Sequence, residues 1–149
     1  MKKFINLLFI FFLVSASSNA QNWETNIDTA LNKANTENKE IVLVFSGLDW
    51  CVPCVKMERN IWQSNEFISF ATENLILLKA DFPKNSNSKK NESQNIHNNM
   101  LKDKYNPKGL FPMVVLLDIN GEEIGHTLYK NVKPNKYIEI LNKIITEKE

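Results

Sequence analysis

The sequence predicts an α/β fold in which a four-stranded mixed sheet is flanked by helices on both faces. Short apolar runs rich in β-branched residues alternate with longer segments whose apolar residues recur every three or four positions. This is the pattern of buried parallel strands connected by helices. Nearer the C-terminus, Asn120-Gly121 separates two further strand-like runs, and this dipeptide is a strong hairpin signal. The last two strands are therefore expected to be antiparallel.

The first half of the chain is expected to supply a helix, a strand and a second helical stretch. Residues 24–37 form the first helix, and Glu40–Ser46, with its run Ile-Val-Leu-Val-Phe, forms a buried central strand. Residues 52–73 are helical, with a second segment that starts near Asn65-Glu66. The apolar face of the first helix comprises Trp23, Ile27, Ala30, Leu31 and Ala34.

The second half is expected to alternate in the same way and to end in a hairpin and a helix. Residues 75–81 form a buried strand, 83–93 a solvated loop rich in Asn, Ser and Lys, and 94–105 a short helix. Residues 113–117 and 123–129 form the hairpin, and Pro134 opens the C-terminal helix. The inward residues are expected to be Ile96, Met100 and Leu101 in the short helix, and Tyr137, Ile138, Leu141, Ile144 and Ile145 in the last one.

The N-terminus has the features of a secretory signal peptide. Lys2 and Lys3 precede an apolar run, and a short polar stretch then ends at Ala20. The apolar run is about 11 residues long, whereas a membrane span needs roughly 20. We therefore expect residues 1–20 to be removed, leaving one domain over residues 21–149, an exported (periplasmic or extracytoplasmic) location and no stable membrane anchor. The mature chain has 16 basic and 17 acidic residues, so charge gives no reason to expect nucleic-acid binding.

The two cysteines of the chain, Cys51 and Cys54, are best explained as a redox-active pair. A disulfide between them would close a very short loop and would stabilise the fold little. A closed zinc site would need two more ligands. The two histidines, His97 and His126, lack the spacing for this, so both are interpreted as surface residues. We expect neither a metal nor another cofactor.

The element order places Cys51 between a buried strand and the start of a helix. Unpaired N–H groups and the helix dipole at that point favour the thiolate, which is the nucleophile in disulfide exchange. Cys51 is therefore expected to be the exposed attacking cysteine, and Cys54, one turn further on, the shielded resolving one. Pro53 stiffens the first turn, and Trp50 covers part of the site and offers a substrate an apolar contact. Asp49 opposes thiolate formation, whereas Lys56 and Arg59 assist it.

These residues resemble the thioredoxin superfamily over nearly all of the predicted mature chain. The matching motifs occur in family order: Val42-Leu-Val-Phe-Ser-Gly-Leu-Asp-Trp-Cys-Val-Pro-Cys54, Lys79-Ala-Asp81, Lys104-Tyr105, Phe111-Pro112 and 118–121. The resemblance implies a thioredoxin-like fold with a short or missing first strand. It also implies a cis peptide bond before Pro112, which would face the dithiol beside Phe111. Substrate would then contact Trp50, Val52, Pro53, Phe111 and Pro112.

The chain departs from the family pattern at the buried acid that usually lies six residues before the first cysteine. Phe45 occupies that position, and the family's partner lysine aligns with Leu77. The acid of the usual proton path behind the dithiol is therefore missing, and Asp49 or a water is a candidate substitute.

The leading functional hypothesis is a thiol–disulfide oxidoreductase that acts on cysteines of exported proteins. Val52-Pro53 and a similarity to the thioredoxin-like domain of membrane-coupled periplasmic disulfide reductases favour a reductase or electron relay over an oxidase. Its partners would be proteins with disulfides or thiols and a redox partner protein. Two alternatives remain open: a thioredoxin-fold binding module with idle cysteines, which Phe45 favours, and a metal-delivery protein.

Overall fold

The computed structural model describes residues 21–85 and 91–147. The predicted leader, residues 1–20, and positions 86–90 of the predicted loop lie outside these ranges. The described residues form a sheet flanked by helices on both faces, as the sequence predicts. No helix within these ranges combines the length and apolar character needed to cross a membrane.

Within the described residues the sheet has five strands, which are β1 (Trp23–Glu24), β2 (Glu40–Ser46), β3 (Leu75–Asp81), β4 (Met113–Leu117) and β5 (Glu123–Leu128). Their spatial order is β1-β3-β2-β4-β5. β3 lies between β1 and β2 and is parallel to both, whereas β4 pairs antiparallel with β2 and β5 antiparallel with β4. This is the mixed arrangement expected from the crossover helices and the Asn120-Gly121 turn.

The prediction of four strands is wrong by one short strand. Trp23 does not lie on the first helix but in the two-residue β1, where it pairs with Leu77 of β3. The helix begins only at Ile27, because the Asn26 side chain accepts the N–H groups of Asp28 and Thr29 and caps it. β1 agrees with the short first strand that the family resemblance implied.

In the part of the chain that the structure describes, five α-helices cover the sheet, and the predicted helix over 52–73 is interrupted. It consists of a short helix, a π-helical turn over Glu58–Trp62 and a second helix. Ser64 has an extended backbone and its hydroxyl accepts the Phe67 N–H at 3.2 Å, which starts the second helix at Asn65 as expected. The helices are α1 (Ile27–Glu37), α2 (Val52–Met57), α3 (Asn65–Asn74), α4 (Glu92–Tyr105) and α5 (Pro134–Thr146).

Helix α4 differs from its prediction in its start and in its inward face. It starts at Glu92, so the last part of the predicted loop is helical. Ile96 and Met100 are exposed, whereas Asn98 is buried. The Asn98 side-chain amide donates to the Asp81 carbonyl at 2.9 Å and accepts from Gln94 at 2.8 Å, so burial leaves it hydrogen-bonded. Leu101 is buried as predicted.

Two apolar clusters, one on each face of the sheet, form the core. Alternate residues of the central strands belong to different clusters because successive side chains point to opposite faces. One cluster packs beneath α1 and α4 and contains Phe45; the other packs beneath α2, α3 and α5 and contains Met57 and Trp62. The predicted apolar stripe of α5 contributes to the second cluster. Residues of β2, whose end leads into the cysteine motif, are packed in both clusters.

Candidate active site

The dithiol lies where the chain leaves β2 and enters α2. Cys51 has an extended backbone at the N-cap of α2, and Val52 and Pro53 form the first positions of the helix. Cys51 and Cys54 are joined by a disulfide, with their Cα atoms 5.2 Å apart. The Cys54 backbone N–H donates to Cys51 Sγ at 3.3 Å. The same N–H would stabilise negative charge on that sulfur after reduction.

The two cysteines differ in exposure less than the sequence analysis expected. Cys51 is 5 % exposed and Cys54 is 2 % exposed, so the expectation of a freely exposed attacking cysteine is wrong for this disulfide form. Cys51 nevertheless lines an open surface cleft of about 330 Å³ whose wall does not include Cys54. The remaining cleft residues are Leu48, Asp49, Trp50, Val52, Val55, Lys56 and Arg59.

Trp50 stands over a glycine and is held by two contacts from other segments. Its indole N–H donates to the Phe82 carbonyl at 2.6 Å, and its ring meets Phe111 edge-to-face at 5.3 Å. A Cβ on Gly47 would lie only 2.3–2.5 Å from indole atoms of Trp50, so the ring needs a glycine there. Trp50 remains 46 % exposed, which leaves much of the ring free for contact with another molecule.

The segment before β4 lies at the same end of the sheet as the dithiol. The Phe111–Pro112 peptide bond is cis, as the family resemblance implied. Met113 pairs with Phe45 near the end of β2, which puts Pro112 at the strand end from which the cysteine loop departs. Pro112 is buried and Phe111 is half-buried. The structure thus brings Phe111 and Trp50 into contact across the site.

Charged side chains surround the cleft unevenly. Lys56 and Arg59 are exposed on the α2 side. Asp49 lies on the loop side, and both of its carboxylate oxygens accept the Lys84 backbone N–H, at 2.9 and 3.1 Å. Asp49, the acid that was expected to oppose the thiolate, is therefore hydrogen-bonded to the backbone of the turn after β3.

Asp81 ends β3 beside the cysteine loop and accepts the Leu48 N–H at 3.4 Å. Partial burial raises the pKa of the Asp81 carboxyl, and the nearby Asp49 charge raises it further. The hydrogen bond from Leu48 and the positive charge of Lys79 act in the opposite direction. Asp81, named above only as part of the Lys79-Ala-Asp81 motif, is therefore a second carboxylate beside the cysteine loop.

An ion pair just after the end of the motif helix was also missed. Glu58, four residues after Cys54, contacts Lys79 of β3 at 2.8 Å, and the Lys79 ammonium lies 4.4 Å from the centre of the Trp23 ring. The predicted partner lysine position, Leu77, is instead a buried apolar residue of the same strand. The sequence did contain a signal for this pair, because Lys79 is the sole basic residue in the apolar run of β3 and so needs a partner where it is buried.

Phe45, which takes the place of the family's buried acid, belongs to a row of aromatic rings. Its side chain is fully buried, and its ring centre lies 6.4 Å from that of Phe82. Phe82 meets Phe111 at 5.3 Å, and Phe111 in turn meets Trp50. The row connects the core to the rim of the cleft through apolar contacts.

The histidines lie apart from the cysteines and only one is a surface residue. His126 is exposed and contacts Glu123 at 2.7 Å. His97 is half-buried and its Nε2 accepts the Ile27 N–H at 3.1 Å, so its interpretation as a surface residue is wrong; it helps to fix α4 against the start of α1. Within residues 21–85 and 91–147, no three His, Cys, Asp or Glu side chains are grouped as metal ligands would be.

The fold and the linked cysteine pair define the class: a thioredoxin-fold protein with a Cys-x-x-Cys disulfide at the first turn of a helix. Residues 22–118 match the family model described as thioredoxin-like. The chain therefore belongs to the thioredoxin-like family.

Two curated proteins of Chlamydia pneumoniae are similar to the chain. One, named disulfide bond reductase DsbH, is 37 % identical over 110 residues, which are 74 % of this chain and 63 % of that protein. The other, thioredoxin-related protein DsbJ, is 28 % identical over 68 % of this chain and 28 % of its own length. The chain thus spans less than two thirds of either relative.

Solved structures agree on the fold. A structure titled DsbH oxidoreductase superposes with a TM-score of 0.76 at 30 % identity and 84 % coverage of both chains. A thioredoxin from Thermus thermophilus gives a TM-score of 0.61 at 14 % identity, covering 85 % of this chain and 88 % of that one. The latter likeness shows the fold alone.

Proposed function

We propose that the protein is a thiol–disulfide oxidoreductase in which Cys51 attacks and Cys54 resolves. The observation that carries the proposal is the Cys51–Cys54 disulfide at the first turn of α2, on the wall of an open cleft. Cys51 alone of the two reaches the cleft, so an incoming sulfur meets it first. Names of relatives containing "disulfide bond reductase" and "oxidoreductase" support the same activity.

The reaction consists of two exchanges between thiolates and disulfides. In the reduced protein, the Cys51 thiolate attacks one sulfur of a substrate disulfide, forms a mixed disulfide and releases the other sulfur as a thiolate. The Cys54 thiol then loses its proton and attacks Cys51 Sγ, which restores the intramolecular disulfide and releases the second substrate thiolate. The substrate gains two electrons and the protein loses two. A dithiol protein, acting as the redox partner, returns them by the reverse sequence.

We further propose that substrate lies against Trp50, Val52, Pro53 and the Phe111-Pro112 segment. Trp50 and Val52 are 46 % and 65 % exposed, and apolar exposure of this kind beside a reactive bond suits an extended peptide. The backbone of the Phe111-Pro112 segment lies at the same end of the sheet, where an extended peptide would pair with it.

Reduction, rather than oxidation, of exported proteins is the proposed direction, and the periplasm or another extracytoplasmic space the proposed location. The signal-like residues 1–20 support export, and the similarity to a protein named disulfide bond reductase supports the direction. The cysteine chemistry requires no bound cofactor.

Trapping of mixed disulfides tests the enzyme proposal. A Cys54→Ser variant lacks the resolving thiol, so it should accumulate covalent adducts with substrate proteins that dithiothreitol releases. The matched Cys51→Ser variant should form few or none, because Cys54 does not reach the cleft. Wild-type protein should also reduce insulin. Equal trapping by the two variants would overturn the assignment of roles. Absence of both trapping and insulin reduction would favour a binding module with idle cysteines.

Equilibration with glutathione buffers tests the direction. A reductase should have a potential nearer to the roughly −270 mV of thioredoxin than to the roughly −120 mV of a strong oxidant. Since about 30 mV changes the two-electron equilibrium tenfold, the two alternatives are well separated. A potential near that of the strong oxidant would refute the reductase proposal while leaving the oxidoreductase proposal intact.

A further inference from the structure

We propose that the helix side of the cleft recognises an acidic residue close to the reactive cysteine of a partner protein. The inference rests on the proposed function and names the kind of partner that the site selects. It arises from the composition of one face of α2 and its continuation, which runs from the disulfide along the cleft wall.

The face is apolar next to the disulfide and cationic beyond it. Val52 and Val55 line the cleft beside Cys51, and Lys56 and Arg59 line it further along. Residues three and four apart lie on the same side of a helix, so Val52 precedes Lys56, and Val55 precedes Arg59, along one continuous surface. Moving along the helix from Cys51, a bound peptide would therefore contact apolar side chains first, and the positively charged side chains about one to two helical turns from the cysteine.

The two cations are available to a partner. Within the described part of the chain, neither Lys56 nor Arg59 forms an ion pair. Asp49, the acid that lines the same cleft, accepts the backbone N–H of Lys84, and Glu58, which is adjacent to Arg59 in sequence, is paired with Lys79. The positive charges of Lys56 and Arg59 can therefore attract a carboxylate of another molecule.

The spacing limits where that carboxylate can lie. With a helical rise of 1.5 Å per residue, Lys56 and Arg59 lie roughly 7 to 12 Å along the helix axis from Cys51. An extended peptide advances about 3.3 Å per residue. An Asp or Glu two to four residues from the partner's cysteine therefore reaches this surface while the two sulfurs are in contact.

A set of peptide disulfides tests the inference. Each peptide carries one cysteine joined to pyridine-2-thiol, an uncharged leaving group, and differs only in having Glu, Gln or Lys two to four residues from the cysteine. The reduced protein attacks the peptide sulfur and releases pyridine-2-thione, whose absorbance reports the rate. We expect the Glu peptide to react roughly three- to tenfold faster than the Lys peptide at low salt, the effect of one or two exposed ion pairs. The preference should largely vanish in 1 M NaCl, where the Debye length is about 3 Å.

Variants assign the preference to the proposed residues. Lys56→Gln and Arg59→Gln should each reduce the Glu-to-Lys rate ratio, and Lys56→Glu combined with Arg59→Glu should invert it. Lys143→Gln, which removes an exposed charge near the end of α5, should leave the ratio unchanged. A ratio of one in the wild type, or a ratio insensitive to the Lys56 and Arg59 changes, would overturn the inference. If even the Gln peptide did not react, the proposed function itself would fail.

Discussion

A single methyl group at Gly47 should disturb the cleft, because the Trp50 indole occupies the space where that methyl would go. The added Cβ would lie 2.3 Å from the nearest indole atom, which is well inside van der Waals contact. Since Trp50 is only half-buried, its ring can move towards solvent more easily than the backbone can shift. The ring would then lose its hydrogen bond to Phe82 and its contact with Phe111.

The cost follows from these two contacts. The hydrogen bond contributes about 1 kcal/mol, and the edge-to-face ring pair about 0.5–1.5 kcal/mol. Gly47→Ala should therefore lower the free energy of unfolding of the disulfide form by about 2 kcal/mol. At a urea m value near 2 kcal/mol/M, the midpoint falls by about 1 M, which far-UV circular dichroism measures without relying on Trp50 fluorescence.

The Trp50→Ala background provides the decisive comparison. There the clash is gone, and the backbone of Gly47 is in a region that ordinary residues adopt, so Gly47→Ala should cost nothing or stabilise slightly. Gly109, with φ of 62° and open space around its Cα, is the matched control: Gly109→Ala should destabilise through its backbone to the same extent in both backgrounds. Were Gly47→Ala equally costly with and without Trp50, the steric explanation would be refuted.

Two further predictions concern charges beside the motif. Because burial raises the pKa of Asp81 above 3.8, the folded state holds this proton more tightly than the unfolded state, and stability is lost as the pH rises through the folded pKa. Asp81→Asn should thus raise the urea midpoint slightly at pH 7 but not at pH 3; a lower midpoint at pH 7 would contradict this. Glu58→Gln should cost about 1–2 kcal/mol, since it leaves the largely buried Lys79 ammonium without its carboxylate. Combining it with Lys79→Met should recover part of that loss in a double-mutant cycle, and additive losses would exclude coupling between the two.

The features that were predicted correctly are those encoded in neighbouring residues. β2, β3 and β4 are largely buried on both faces and so appear as mainly apolar runs, and Asn120-Gly121 fixes the hairpin locally. The place of the cysteine motif in the fold was predicted correctly because it depends only on the strand before the motif and the helix after it. The cis bond at Pro112 came from family resemblance and not from any local pattern.

The features that were missed depend on contacts between distant segments. Trp23 forms a strand because Leu77 is beside it, and a two-residue strand has no periodicity to detect. Asn98 is buried because the Asp81 carbonyl accepts its amide, although its residue type suggests exposure. Glu58 and Lys79, 21 residues apart, meet only when the π-helical turn that begins at Glu58 packs on β3. Residue patterns specify faces and ends of elements, but they do not identify partners across the sheet.

The replacement of the family's buried acid by Phe45 is consistent with where the charges lie. Phe45 pairs with Ala80, and both side chains belong to the cluster beneath α1 and α4, whereas Lys79 is offset by one residue and belongs to the opposite face. A carboxylate at position 45 would be buried among apolar groups without that lysine, at a cost of several kcal/mol. The aromatic row avoids this cost and supports Trp50, while the ionisable groups Glu58, Lys79 and Asp81 collect on the face that carries α2. Proton exchange with the dithiol is therefore expected from the α2 side of the sheet and not from position 45.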